Sequence, residues 1–113
     1  MAKKSTWTCG MRVWLESDGH VVVGRGRVEL LEAIDRHHSI RQAAASLGMS
    51  YRRAWLLVKS INSATDSLLV EATKGGKAGG GALLTPSGKD AIRQFHALDR
   101  ALRDKAAQVL KKL

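Results

Sequence analysis

Between Ser39 and Ser63 the chain reads SIRQAAASLGMSYRRAWLLVKSINS, and no other stretch limits its fold so tightly. Ser39 is a good helix N-cap, and Ile40, Ala43, Ala44 and Leu47 recur at the three- and four-residue spacing of one helical face, so a first helix is expected to run to Gly48. Gly48 ends it, because a residue without a Cβ takes the left-handed conformation that a sharp exit requires. Ser50 caps a second helix, in which Ala54, Trp55, Val58 and Ile61 share a face expected to pack on the first. Small residues fall where the two helices would cross. Two short helices joined in this way make a helix-turn-helix, whose second helix is free to enter a DNA major groove.

With that face turned inward, Arg52, Arg53, Leu56, Lys59, Ser60 and Ser63 point away from the core, and Ser50 and Tyr51 stand at the leading end. Arginines, a lysine and hydroxyls suit phosphates and base edges. Ser39, Arg41 and Gln42, at the start of the first helix, complete the candidate contact set. No acidic residue occurs between Asp35 and Asp66, whereas Arg36, Arg41, Arg52, Arg53 and Lys59 all lie in that window, so the local field is positive. The bland reading of the same pattern is a helical hairpin with a solvated basic face.

Composition agrees with a polyanionic partner. The 113 residues hold 19 Lys and Arg against 10 Asp and Glu, a formal net charge of +9, which favours nucleic acid first and an anionic membrane surface second. The apolar runs Ala54–Val58 and Val21–Val23 are far too short to cross a bilayer, and MAKKSTWT carries no apolar signal core, so a cytoplasmic protein without a membrane partner is expected. Cys9 is the single cysteine and has no partner for a disulfide or a metal knuckle. His20, His37, His38 and His96 are scattered, adjacent His37 and His38 diverge, and no nucleophile, carboxylate pair or ligand set joins them. No catalytic residue, metal or cofactor is expected, and the chain is read as a non-enzyme.

The flanks fit a single domain, mainly α with small β. Residues 11–23 are expected to form an N-terminal hairpin: Met11, Val13 and Leu15 alternate with Arg12, Trp14 and Glu16, Ser17-Asp18-Gly19-His20 supplies the turn, and Val21-Val22-Val23 returns. Gly24-Arg25-Gly26-Arg27 lacks the ending of a phosphate-cradling loop and is read as a flexible junction. A helix from about Gly26 to Arg36 follows, with Val28, Leu31 and Ile34 inward and Glu29, Glu32 and Asp35 outward. The helix core and a wing then occupy residues 26–84.

The wing is inferred from order as much as from composition. Leu68-Leu69-Val70-Glu71 and Ala82-Leu83-Leu84 are strand-like, and between them Lys74 to Gly81 holds five of the chain's eleven glycines and the two lysines Lys74 and Lys77. A basic loop without bulky side chains, set at 72–82 just after a helix-turn-helix, is suited to the sugar-phosphate backbone; a disordered linker is the alternative. Thr85 and Pro86 open a last helix over 86–113. Ile92, Phe95, Leu102, Ala106, Val109 and Leu113 keep heptad spacing, Asp99 takes the remaining seam position, and Leu98 widens the stripe. So long a helix is expected to meet a second copy of the chain through these residues, although folding back on its own domain is the other possibility.

Gly24 to Ile34, the segment SI-x-QAA-x-x-LGMSYRRAW from Ser39 to Trp55, the glycine-rich wing and Leu84-Thr85-Pro86 together resemble the N-terminal domain of ModE-type molybdate-dependent transcriptional regulators. More distantly they are similar to the winged helices of LysR-type regulators. The resemblance implies a homodimeric winged helix-turn-helix on a palindromic operator of molybdate-transport or molybdoenzyme genes. In it Ser50, Tyr51, Arg52 and Arg53 would start a recognition helix over 51–63, and Lys74 and Lys77 would sit in the wing. The family's oxyanion-binding module has no counterpart in these 113 residues, so an oxyanion effector is not expected of them. A protein-interaction module that pairs through its long helix with a longer regulator is the second reading.

Overall fold

The computed structural model describes residues 5–73 and 81–113. Its elements are β1 (Trp14–Ser17), β2 (His20–Gly24), α1 (Arg25–His37), α2 (Ile40–Ser46), α3 (Tyr51–Ser63), β3 (Val70–Thr73), β4 (Gly81–Leu84) and α4 (Pro86–Leu110). This is the expected mainly α fold, a winged helix-turn-helix with two antiparallel two-stranded sheets, β1-β2 and β3-β4.

The N-terminal hairpin is shorter than the 11–23 expected, since β1 begins only at Trp14. Its turn follows from Asp18-Gly19, whose φ values of 50° and 81° place both central residues in the left-handed region that a two-residue hairpin loop demands. Leu15 pairs with Val23 but Glu16 with Val21, so Val22 is an extra residue in β2. The bulge explains why adjacent Val22 and Val23 are both buried.

The junction after β2 is helical, not flexible. Gly24 remains extended as the N-cap of α1, and Arg25, Gly26 and Arg27 form its first turn. Arg27 fastens that turn to the hairpin by donating from Nη1 to the carbonyls of Val21 at 3.1 Å and Val22 at 3.3 Å.

Helix α1 is the centre of the core: Leu30, Leu31, Ala33 and Ile34 are fully buried. Around it close Ala43 and Ala44 of α2, Ala54, Val58 and Ile61 of α3, Leu69 and Val70 at the wing, and Phe95 of α4. Alanine at the crossing points lets helix axes approach to the short end of the usual 8–10 Å range. At its C-terminus His38 takes φ 53° and donates its N–H to Ile34 O, while its carbonyl accepts from Ala82 N at 3.0 Å. The α1–α2 corner is thereby joined to β4.

Thr85 caps α4, accepting from Gly88 N at 3.0 Å and donating to Leu68 O at 2.7 Å. Gly88 is required there, because a Cβ would lie 2.3 Å from Leu69 O. The helix has 25 residues and ends at Leu110, about one turn short of the expected 113. Its two halves differ. Phe95 is 2% exposed and Ile92 packs beside it on the core, whereas Leu98, Leu102 and Val109 are 41%, 40% and 52% exposed. A radius of gyration of 17.7 Å, against about 13 Å for a compact chain of this length, reflects this projecting half.

The expected heptad seam is thus divided. Phe95 and Ile92, proposed from the sequence as contacts to a partner, serve the chain's own core. Asp99 also faces its own domain, lying 3.9 Å from Arg25 Nη2 and accepting from Arg103 Nε at 3.1 and 3.0 Å. The Arg103 hydrogen bond, then the charges of Arg103, Arg25 and His96, hold its carboxyl below the usual range in spite of partial desolvation. Glu32, expected on the outer side of α1, meets His96 of α4 at 3.3 Å. Spacing alone does not distinguish a helix stripe that covers its own domain from one that awaits another chain.

Candidate nucleic-acid interface

The turn between α2 and α3 is fixed by backbone chemistry. Leu47 caps α2, Gly48 follows at φ 69°, and Met49 N reaches back to Ala44 O at 3.0 Å. Ser50 then starts α3, its hydroxyl oxygen accepting from Arg53 N at 3.1 Å, just as Ser39 accepts from Gln42 N at 3.1 Å at the start of α2. Both serines cap their helices as acceptors, and among the described residues neither hydroxyl donates to another group.

With Ala54, Val58 and Ile61 buried, the opposite side of α3 is bound to face solvent. Arg52, Arg53, Leu56, Lys59 and Ser63 are exposed there, and Tyr51 is exposed at the leading end. Ser50, Arg52, Arg53, Leu56 and Leu57 line a shallow depression at that end. Arg41 and Gln42 are exposed on the first turn of α2, and the Arg41 guanidinium lies 4.2 Å from the centre of the Tyr51 ring. The two helices therefore present one surface.

No ion pair among the described residues engages Arg41, Arg52, Arg53 or Lys59; the pairs found lie on α1 and α4. Unneutralised cations on a ridge without acidic neighbours generate the field a polyanion would meet. No group of three His, Cys, Asp or Glu among the described residues is arranged to hold a metal ion, and no helix is long and apolar enough to cross a membrane.

Trp55 departs from expectation. Its spacing predicts an inward position, yet it is 44% exposed, and Leu57 takes the half-buried place beside Ala54 and Val58. The helical geometry explains this: the buried stripe is centred between Ala54 and Ile61, and Trp55 lies about 100° round from Ala54. Its ring is covered instead by Lys59 Nζ at 5.3 Å from the centroid.

Asn62 is the site residue that sequence reading missed. Its Oδ1 accepts from Leu69 N at 2.9 Å and Val70 N at 3.1 Å, and its Nδ2 donates to Val70 O at 2.9 Å. A lone side chain thus sets the start of β3 against the last turn of α3. The only signal available was a polar residue at the edge of a buried stripe, which more often faces water. In the wing itself Val70 pairs with Leu84 and Thr73 with Gly81. Lys74 and Lys77 lie outside the described residues.

Three helices in this order, a tight glycine turn, an exposed second helix and a strand pair fastened to it define a winged helix-turn-helix domain. Residues 26–89, more than half the chain, match the bacterial regulatory helix-turn-helix proteins of the lysR family. The chain is 43% identical to the molybdenum-pterin-binding protein MopA of Rhodobacter capsulatus over 88 residues, 78% of this chain and 33% of that protein. It is 35% identical to the molybdenum transport protein ModE of Azotobacter vinelandii over 88 residues, again 78% and 33%. With the DNA-binding transcriptional dual regulator ModE of Escherichia coli K12 the identity is 39% over 84 residues, 74% of this chain and 32% of that protein. The chain spans about a third of the length of these curated relatives. It belongs to the lysR family of bacterial regulatory helix-turn-helix proteins, as a winged helix-turn-helix domain of the ModE type.

Proposed function

We propose that this chain is a sequence-specific DNA-binding transcription regulator that acts in the cytoplasm as a homodimer on a palindromic operator. The observation that carries the reading is the unneutralised ridge of Arg52, Arg53 and Lys59 on the exposed side of α3. Helix α3 enters the major groove, with Arg52 and Arg53 at phosphates or guanine edges and Leu56 at thymine methyls. Ser39, Arg41, Gln42, Ser50 and Tyr51 hold the adjoining backbone, and Lys74 and Lys77, which the sequence puts between β3 and β4, neutralise phosphates beside the wing. The names of its relatives, which speak of molybdenum transport and transcriptional regulation, support a link to molybdenum-related genes.

The exposed stripe of Leu98, Leu102 and Val109, continued by Ala106 and Leu113, is the surface through which two copies pair. Pairing sets the recognition helices at half-sites one or more helical turns apart, about 34–36 Å per turn. The same stripe supports a second reading, in which the chain pairs with a longer regulator and alters its output; mixing the two and weighing the complex separates the cases.

The test is selection of bound duplexes from a random pool. Enrichment of an inverted repeat is the expected result. Recovery of sequences no different from the input would remove sequence-specific regulation from consideration.

A further inference from the structure

Trp55 and Lys59 extend a pattern that begins with Arg41 and Tyr51. Tyr51, Trp55 and Lys59 follow at four-residue spacing on one side of α3, Arg41 lies over the Tyr51 ring at 4.2 Å, and Lys59 lies over the Trp55 ring at 5.3 Å. The result is a stripe ordered cation, ring, ring, cation. Both rings are partly exposed, Tyr51 by 40% and Trp55 by 44%, and Trp55 belongs to no core cluster. Its indole is left largely in water beside the buried stripe of Ala54, Val58 and Ile61.

The stripe also has a direction. Trp55 and Asn62 are seven residues apart, which on an α-helix brings them within about 20° of the same side. Asn62, at the C-terminal end of α3 on this same side, is bonded to the start of β3, so the side of the helix that carries Tyr51 and Trp55 leads towards the base of the wing. When a helix occupies one groove and the adjoining hairpin approaches the next, the sugar-phosphate strand dividing the two grooves has to run between them. Aromatic faces suit the apolar side of a deoxyribose, and the cations at either end suit its phosphates.

We propose that Tyr51 and Trp55 form a clamp for this one strand, with Trp55 as the residue that positions Lys59 on a phosphate. The inference rests on the DNA-binding reading and adds to it a residue that contacts the backbone and not the bases. Ring and cation act as a unit: the indole fixes the flexible lysine stem before DNA arrives, which lowers the entropy lost on contact.

The experiment measures affinity for a duplex selected by the protein itself and for a scrambled duplex, each across a salt series, with Trp55→Ala, Trp55→Phe, Lys59→Ala and the Trp55→Ala, Lys59→Ala double variant. Trp55→Ala is expected to weaken both duplexes alike, by roughly 5-fold, and to flatten the salt slope by about 0.9. Trp55→Phe keeps most of the binding, and Trp55→Ala costs less on the Lys59→Ala background than in the wild type, because part of its effect runs through Lys59. Unchanged affinity of Trp55→Ala overturns the clamp. So does a loss confined to the selected duplex with an unchanged slope, which assigns Trp55 to base reading. Failure of the wild-type protein to select any duplex overturns the DNA reading itself, a result distinct from wild-type binding with an indifferent Trp55.

Discussion

Asn62 and Val70 are joined by a reciprocal pair of hydrogen bonds: the side-chain oxygen accepts from Val70 N at 3.1 Å and the side-chain nitrogen donates to Val70 O at 2.9 Å. Leu69 N adds a third bond at 2.9 Å. Leu69 and Val70 are buried, so water does not easily replace the amide. Asn62→Ala is expected to cost about 2 kcal/mol, and Asn62→Asp, which keeps only the acceptors, should retain part of it. Urea unfolding of the two variants measures the difference. Equal stability of all three proteins would mean that the wing is held by something else.

Gly88 and Gly26 make opposite predictions from the same substitution. A methyl at Gly88 would meet the Leu69 carbonyl oxygen at 2.3 Å, a backbone atom tied to the wing and to Thr85, whereas one at Gly26 meets nothing within 4 Å. Gly88→Ala should destabilise by about 1–3 kcal/mol. Gly26→Ala should be neutral or stabilise by about 0.5 kcal/mol. Thermal unfolding of both reads the sign directly.

The divided seam of α4 separates folding from pairing. Phe95→Ala should cost about 3–5 kcal/mol of stability at any protein concentration, because it empties the chain's own core. Leu102→Glu removes nothing from that core and should instead shift the protein from dimer to monomer in sedimentation equilibrium. A Leu102→Glu protein of unchanged mass would move the pairing surface off this stripe.

Much of this architecture is legible in the sequence because local chemistry decides it. Ser39, Ser50 and Thr85 cap helices where side-chain oxygens precede apolar periodicity, and Asp18-Gly19 makes the hairpin turn. What was not legible depends on neighbours distant in sequence. Phe95 fits a heptad equally well whether its stripe covers its own domain or another chain. Trp55 looks like core on hydrophobicity alone, and only the true centre of the buried stripe on α3 puts it in water. Asn62 and Gly88 look ordinary until β3 is brought against them.

Asp99 gives the structure an acid-sensitive contact. Its carboxyl titrates below the usual range, through the Arg103 hydrogen bond first and the charges of Arg103, Arg25 and His96 after it. A folded-state value below the unfolded one, which is about 3.9, gives stability that is present above that pH and lost as pH falls through the folded value. The stability difference between wild type and Asp99→Asn should accordingly be constant near neutrality and shrink below about pH 4. A difference that does not change with acid would mean the carboxylate's charge is immaterial.

The central claim is that the outward side of α3 reads DNA, and Arg53→Ala tests it most directly. On a duplex selected by the wild-type protein the variant should lose roughly 1–3 kcal/mol if Arg53 pairs with a guanine, with less loss on scrambled DNA. If Arg53 holds a phosphate, both duplexes should weaken together and the salt slope should flatten by about 0.9. Binding of Arg53→Ala equal to wild type on both duplexes at every salt concentration, with Arg52→Ala behaving the same way, would contradict the account.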